Sequence, residues 1–167
     1  MTEPIEFKLG RLLRQKELKL AVAESCTGGL VSDRITNIPG SSDYFIGGIV
    51  AYAYEAKVKL LDVSWDTLTA YGAVSRQVVL EMARGVCRAL ETELGVSVSG
   101  IAGPGGETAD KPVGTTWIGL STPDGEWARG FCWNGDRLQN KSFSADSVLQ
   151  FLIDFLQGDR DLDIDLK

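Results

Sequence analysis

The run Leu20-Ala21-Val22-Ala23 limits what this chain can fold into more than any other stretch. Consecutive apolar residues with no polar alternation suit a strand buried on both faces. The run passes directly into Glu24-Ser25-Cys26-Thr27-Gly28-Gly29, and Leu30 to Ile38 then read as a helix. A fully buried strand that feeds a helix through a glycine turn belongs in a parallel sheet with helices on both faces.

The rest of the chain extends that pattern. Thr2 is placed to cap a first helix with Pro4 in its first turn, and Phe7, Leu9, Leu12 and Leu13 form its buried stripe. After the turn Pro39-Gly40-Ser41-Ser42, a second buried strand runs from about Ile46 to Tyr54, where Gly47-Gly48 signals a bend or a close backbone approach. Glu55 to Leu61 and Trp65 to Tyr71 read as short helices. Ser75 caps a strongly amphipathic helix whose stripe is Val78, Val79, Met82, Ala83, Val86, Cys87, Leu90 and Leu94, with Gly95 as its stop. Cys87 on that stripe reads as core.

Val96 to Ser99 form a third strand, followed by the glycine-rich segment Gly100 to Gly106. Thr115–Ser121 and Trp127–Trp133 pair as a hairpin across Pro123-Asp124-Gly125. A last helix over Leu138 to Gln157 buries Val148, Leu149, Leu152, Phe155 and Leu156. Gly158 to Lys167 alternates Asp with Leu or Ile and reads as an exposed, mobile acidic tail. The expected fold class is α/β: a three-layer α/β/α sandwich on a mixed, mostly parallel five-stranded sheet with one antiparallel strand. One domain spans 1–157, and the tail spans 158–167.

Composition excludes several functions. The chain has 167 residues, enough for one domain with a full core, and a formal net charge of −6. Phosphate backbones repel such a chain unless it carries a local basic patch. The densest basic cluster, Lys8, Arg11, Arg14, Lys16 and Lys19, lies on a surface helix, so no nucleic-acid partner is expected. No apolar run approaches the ~18–20 residues that span a bilayer. No basic region followed by an apolar stretch opens the chain, and the three cysteines read as reduced thiols, so a cytoplasmic location is expected. Histidine is absent altogether. That removes Ser-His-Asp and Cys-His catalysis and His-containing zinc sites, and three dispersed cysteines cannot form a Cys₄ site. No metal or cofactor is expected.

In such sheets ligands bind beyond the carboxyl ends of the parallel strands. Those ends carry Ser25, Cys26, Thr27 and Gly28; then Tyr52, Glu55 and Lys57; then Ser99 and Gly100. Each has a plain structural reading. Ser25 and Thr27 suit helix caps, Lys57 a solvated helix position and Tyr52 the core. The 100–106 segment suits a turn, since it lacks the Gly-Lys-Ser/Thr of a phosphate-binding loop. Exposed amides at the helix start, freed by Gly28 and Gly29, also suit an anion or oxyanion. A nucleophilic serine here needs a base other than histidine, and a desolvated lysine qualifies. Lys57 is the lysine that topology places at the sheet edge. Cys26 is a rival nucleophile, because a helix start lowers thiol pKa.

Glu24-Ser25-Cys26-Thr27-Gly28-Gly29, Pro39-Gly40-Ser41-Ser42, Tyr52 with Glu55-Ala56-Lys57, Gly72-Ala73-Val74-Ser75, Ser99-Gly100-Ile101-Ala102-Gly103-Pro104 and Lys111-Pro112-Val113-Gly114-Thr115 occur in this order. Together they resemble the CinA carboxy-terminal family, from about Leu9 to Phe155. Its enzymatic members are nicotinamide mononucleotide amidases. The resemblance implies a metal-free Ser/Lys amidohydrolase that converts nicotinamide mononucleotide to nicotinic acid mononucleotide and ammonia. It also implies a five-stranded α/β/α sandwich and a homodimer.

Carried over, Lys57 is the base and the Tyr52 hydroxyl orients it. Ser25, Thr27, Ser42 and Ser99 line the site, with Ser41 and Gly100 beside them. Amides near Gly28 or Gly40 hold the oxyanion. The substrate phosphate sits on a glycine-rich loop or near Arg137, within Gly135-Asp136-Arg137. Ser25 and Ser42 both stand as nucleophiles. Topology favours Ser25, because a straight second strand, at ~3.3 Å per residue, separates Ser42 from Lys57. A bend at Gly47-Gly48 or a site shared between subunits reopens Ser42. The chain departs from the family pattern at Tyr54, where a small polar residue is usual, at Asn140, where an apolar one is usual, and at Lys141, where a second Arg is common. An amidase for another small carboxamide and a non-catalytic ligand-binding module are the competing readings.

Overall fold

The computed structural model describes residues 3–166. The Thr2 cap lies outside the described residues. Helix α1, Ile5–Lys16, begins directly after Pro4, whose carbonyl accepts from the Lys8 amide at 3.1 Å. Its buried stripe is Leu9 and Leu13 with Ile5 and Leu12 partly covered, and Phe7 is 49% exposed, contrary to expectation. At ~100° per residue, Phe7 points about 200° away from Leu9.

The strands are β1 (Leu20–Glu24), β2 (Phe45–Val50), β3 (Leu94–Gly100), β4 (Thr115–Thr122) and β5 (Gly125–Cys132). Their order across the sheet is β2-β1-β3-β4-β5. β1 is parallel to both β2 and β3, while β4 is antiparallel to β3 and to β5. One strand of the five therefore opposes the rest, which is the expected sandwich. β1 is buried along its whole length, as its apolar run requires.

Side-chain alternation along the strands divides the core. Leu20, Val22, Val96, Val98, Ile118 and Leu120 face α1, α2 (Leu30–Thr36) and α6 (Arg137–Leu156). Ala21, Ala23 and Ala51 face α3 (Tyr54–Leu61), α4 (Trp65–Tyr71) and α5 (Arg76–Leu90). The small alanines admit α5 close to the sheet. Ser75 caps α5 by accepting from the Val78 amide, and Asp136 with Gln139 forms a capping box at α6. Among the described residues no helix is long and apolar enough to cross a membrane.

Four local expectations change. The second strand stops at Val50, and Tyr54 instead opens α3. β2 pairs only with β1, so as an edge strand it is half-buried in alternation rather than fully buried. Gly48 does mark a close approach, since a Cβ there would collide with the Ser32 hydroxyl of α2, and the register with β1 slips by one residue at Ile46, but the parallel pairing continues to Val50. α5 ends at Leu90, and Leu94 and Gly95 open β3, where they pair with Leu20 and Ala21. Leu94 fits either period, and strand pairing with β1 decides it. Cys87 is only half-buried.

Most of the C-terminal segment is exposed, as expected, but it is docked on β5 at several points. Leu162 is fully buried, Ile164 bridges to Arg129, and the Gly130 amide donates to the Ile164 carbonyl at 2.7 Å. Asp163 accepts from the Ala128 amide at 2.8 Å and pairs with Arg76 at 3.0 Å. Arg129, itself buried, donates to the Leu162 carbonyl and pairs with Asp154 at 2.8 Å. The alternation of Asp with Leu and Ile thus accompanies an extended segment that touches the β5 edge at a single bridge, Ile164 to Arg129, and buries Leu162. Leu162→Ala is expected to cost about 2–3 kcal/mol, read as a lower urea midpoint at constant m-value.

Candidate active site

β1 and β3 lie in register at Glu24 and Val98, and the Ser25 amide donates to the Val98 carbonyl at 3.0 Å. The next pair is Ser25 and Ser99, side by side on the α5 face, both buried. Gly28 and Gly29 then adopt left-handed φ of 60° and 106°, which lets the chain reverse from β1 into α2 within a few residues.

Lys57 reaches this point from the first turns of α3. Its Nζ lies 2.9 Å from Ser25 Oγ, 2.7 Å from the Ala51 carbonyl and 2.9 Å from the Tyr52 carbonyl. The side chain is 1% exposed. Burial pushes its pKa down to about 8, with a smaller opposing influence from Cys26. The two carbonyls fix two of the amine's protons. When the amine is neutral, its lone pair is left pointing at the Ser25 hydroxyl, the arrangement a general base needs.

Cys26 occupies the opposite face, packed with α6 and the other large apolar residues. Burial drives its thiol up to about 12. Desolvation outweighs any lowering by the helix start, so Cys26 is a thiol at neutral pH and not the rival nucleophile.

Glu24 entered the sequence reading only as the first residue of its motif. It is fully buried. One carboxylate oxygen accepts from Thr27 Oγ1 at 2.6 Å and the Val31 amide at 2.9 Å. The other accepts from the Ser32 amide at 3.0 Å and Ser32 Oγ at 2.8 Å. The start of α2 is therefore filled from inside and is not an open anion site. Thr27, expected to line the substrate, turns its hydroxyl inward to Glu24. The Gly28 amide, expected near the oxyanion, instead donates to the Ser25 carbonyl at 3.1 Å. Among the described residues, the backbone amides of Cys26 and Thr27 donate to no other residue. These are the donors left beside Ser25.

Tyr52 holds Lys57 through its carbonyl, not its hydroxyl as expected. The ring is 60% exposed, and its hydroxyl accepts from Arg137 Nη2 at 3.2 Å. Arg137, at the start of α6, also donates to the Gly103 carbonyl at 2.6 Å. Asn140 donates to the Ala102 carbonyl at 3.1 Å and accepts from the Gly135 amide at 2.9 Å. A polar side chain stands at 140 because α6 clamps the 101–106 loop there. Lys141, one turn beyond Arg137, comes within 3.8 Å of the position a Cβ on Gly28 would take. Tyr54 accepts from the Ala73 amide at 3.3 Å and lines a cavity of about 260 Å³ with Val74, Ile101, Thr108 and Lys111. Gly100 packs against Cys26 and Thr116.

Gly40, Ser41 and Ser42 are not part of this assembly. Ser41–Asp43 form a 3₁₀ turn before β2, tied to α1 by an Arg14–Asp43 pair at 3.2 Å. The six residues of β2 put this turn roughly 20 Å from the carboxyl end where Lys57 sits. Within one chain, Ser42 is excluded as the partner of Lys57.

The profile of the CinA C-terminal domain matches residues 2–156. A CinA-like protein of Amoebophilus asiaticus is 46% identical over 157 residues, which is 94% of this chain and 38% of that protein. A CinA-like protein of Desulfosudis oleivorans is 48% identical over 89% of this chain and 36% of its own length. The chain thus spans little more than a third of these relatives. The crystal structure of the competence/damage inducible protein CihA from Agrobacterium tumefaciens superposes with a TM-score of 0.86 at 36% identity, covering 94% of this chain and 99% of that one. The chain belongs to the CinA C-terminal domain family.

Proposed function

We propose that the chain is a Ser/Lys amidohydrolase that deamidates nicotinamide mononucleotide to nicotinic acid mononucleotide. The observation that carries this reading is the buried Lys57 amine, 2.9 Å from Ser25 Oγ and fixed by two carbonyls. Neutral Lys57 takes the Ser25 proton, and the alkoxide adds to the carboxamide carbon. The oxyanion faces the Cys26 and Thr27 amides. Lys57 returns the proton to the leaving nitrogen, ammonia departs, and an acyl-Ser25 ester remains. Water adds to the ester with its proton passing to Lys57, and Ser25 is regenerated with release of the carboxylic acid. Arg137 and Lys141, on adjacent turns of α6, supply positive charge for the phosphate.

The test is ammonia release from nicotinamide mononucleotide by the purified chain. Stoichiometric nicotinic acid mononucleotide supports the reading, and no release by folded protein overturns it. The base assignment also fixes a pH profile. Lys57 acts only when neutral, and its amine sits at about 8. Activity is therefore lost as pH falls: kcat/KM is expected to drop about tenfold per pH unit below 8 and to level off above it. A profile flat from pH 6 to 9 contradicts Lys57 as base.

A further inference from the structure

The turn that carries the proposed oxyanion donors contains two glycines in left-handed conformation, and its own backbone bonds, Gly28 to Ser25 and Leu30 to Thr27 at 3.1 Å each, leave its ends to be tied by side chains. Glu24 precedes the turn and bonds to residues within and after it. Its carboxylate gathers Thr27 Oγ1, the Val31 and Ser32 amides and Ser32 Oγ, with no exposure to solvent. No cation pairs with it among the described residues. A buried carboxylate without a cation is costly unless several donors surround it, and here all the donors come from this one turn and the helix it feeds. Gly29, the residue before α2, has φ of 106° and no side chain to cap the helix start, so Glu24 caps it from inside. The carboxylate also reaches back to Thr27 within the turn.

We infer that Glu24 is a positioning residue for the reaction. It clamps the Ser25–Gly29 turn so that the Cys26 and Thr27 amides face the point where charge develops on the substrate oxygen. The inference rests on the Ser25 reading above. An amide Glu24→Gln supplies one acceptor oxygen and presents NH₂ to the Ser32 amide, so one side of the clamp opens. Substrate still binds, because Arg137 with the loop it holds and Lys141 lie on another element. The loss therefore falls on kcat and spares KM.

The experiment compares wild type, Glu24→Gln and the near-isosteric Thr27→Val by two readouts. One is ammonia release from nicotinamide mononucleotide. The other is the pre-steady-state burst with p-nitrophenyl acetate, which reports acylation of Ser25 whatever the natural substrate. Expected are a ~100-fold fall in kcat and in burst rate for Glu24→Gln and a ~10-fold fall for Thr27→Val, with KM within about threefold. Affinity for a pyridine boronic acid, whose tetrahedral adduct places oxygen at the same donors, falls in parallel while product affinity holds. Thr27→Val keeps the buried charge and guards against a Glu24→Gln that does not fold. Normal burst rate and boronate affinity in folded Glu24→Gln or Thr27→Val overturn the inference. Wild type that shows the burst but releases no ammonia overturns only the assigned substrate, and the burst rates of the two variants then decide the role of Glu24.

Discussion

Ser25→Ala and Lys57→Met are each expected to lower kcat by about 10³–10⁴-fold, and the double variant to lose no more than either alone. The two groups act as one unit. Without the Ser25 hydroxyl the Lys57 lone pair has no proton to take, and without Lys57 the hydroxyl is a weak nucleophile with no base in reach. No histidine exists anywhere in the chain to substitute. Met matches the length of the lysine stem, so packing around α3 is largely kept, although the Ala51 and Tyr52 carbonyls lose their donor. Lys57→Arg is not expected to rescue activity, since a guanidinium stays protonated at any working pH. Ser42→Ala serves as the internal comparison: it lies beyond the far end of β2 and is expected to stay within twofold of wild type. Residual activity above one-tenth in Ser25→Ala, measured as ammonia release, removes Ser25 as the nucleophile.

Gly85→Ala is expected to lower Tm by roughly 5–10 °C, the result of about 2–3 kcal/mol lost in a domain of this size. Gly85 sits in the middle of α5, where alanine normally gains ~1 kcal/mol in helix propensity. Here a Cβ would run into the backbone carbonyl of Leu61, the last residue of α3. Backbone cannot rotate out of the way as a side chain can, so the two helices must separate. α3 carries Lys57, whose contacts to Ser25 and two carbonyls are all near 2.7–2.9 Å. Separation therefore weakens the dyad as well as the core, and kcat falls below wild type at temperatures where the variant is still fully folded. A variant with lower Tm and undiminished kcat at 25 °C shows instead that α3 keeps its place while α5 moves.

The parts of the fold that were legible in the sequence are those where one period dominates. β1 is apolar at every position, α5 follows helical spacing, and the β4–β5 hairpin is marked by Pro123-Asp124-Gly125. Ambiguity began where a stretch fits two patterns. Leu94 extends the α5 stripe and equally opens β3. The Asp-Leu-Asp-Ile alternation of the C-terminal segment was masked by its charge, although alternation is itself a strand signal. The meeting of Ser25 and Lys57 was legible because the strand ends of a parallel sheet converge. Glu24 was not, because its role depends on the first turn of α2 folding back over it. Side chains are visible in a sequence and backbone carbonyls are not, which is why Tyr52 was credited with a hydroxyl contact that its carbonyl makes. Gly40-Ser41-Ser42 has the composition of a site loop, and only strand length tells against it.

The two borders of the sheet differ in kind. The outer side of β5 is bridged at Arg129 by the segment around Ile164, whereas among the described residues no strand lies beyond β2 on the other side. A strip with both borders bare can add copies without limit and grow into a fibre. A strip with one border sealed by its own chain can be extended only once, because the second copy arrives with the same sealed border outward. The segment around Ile164 shields part of the border farthest from Lys57, and β2 carries the open border on the side nearer to it.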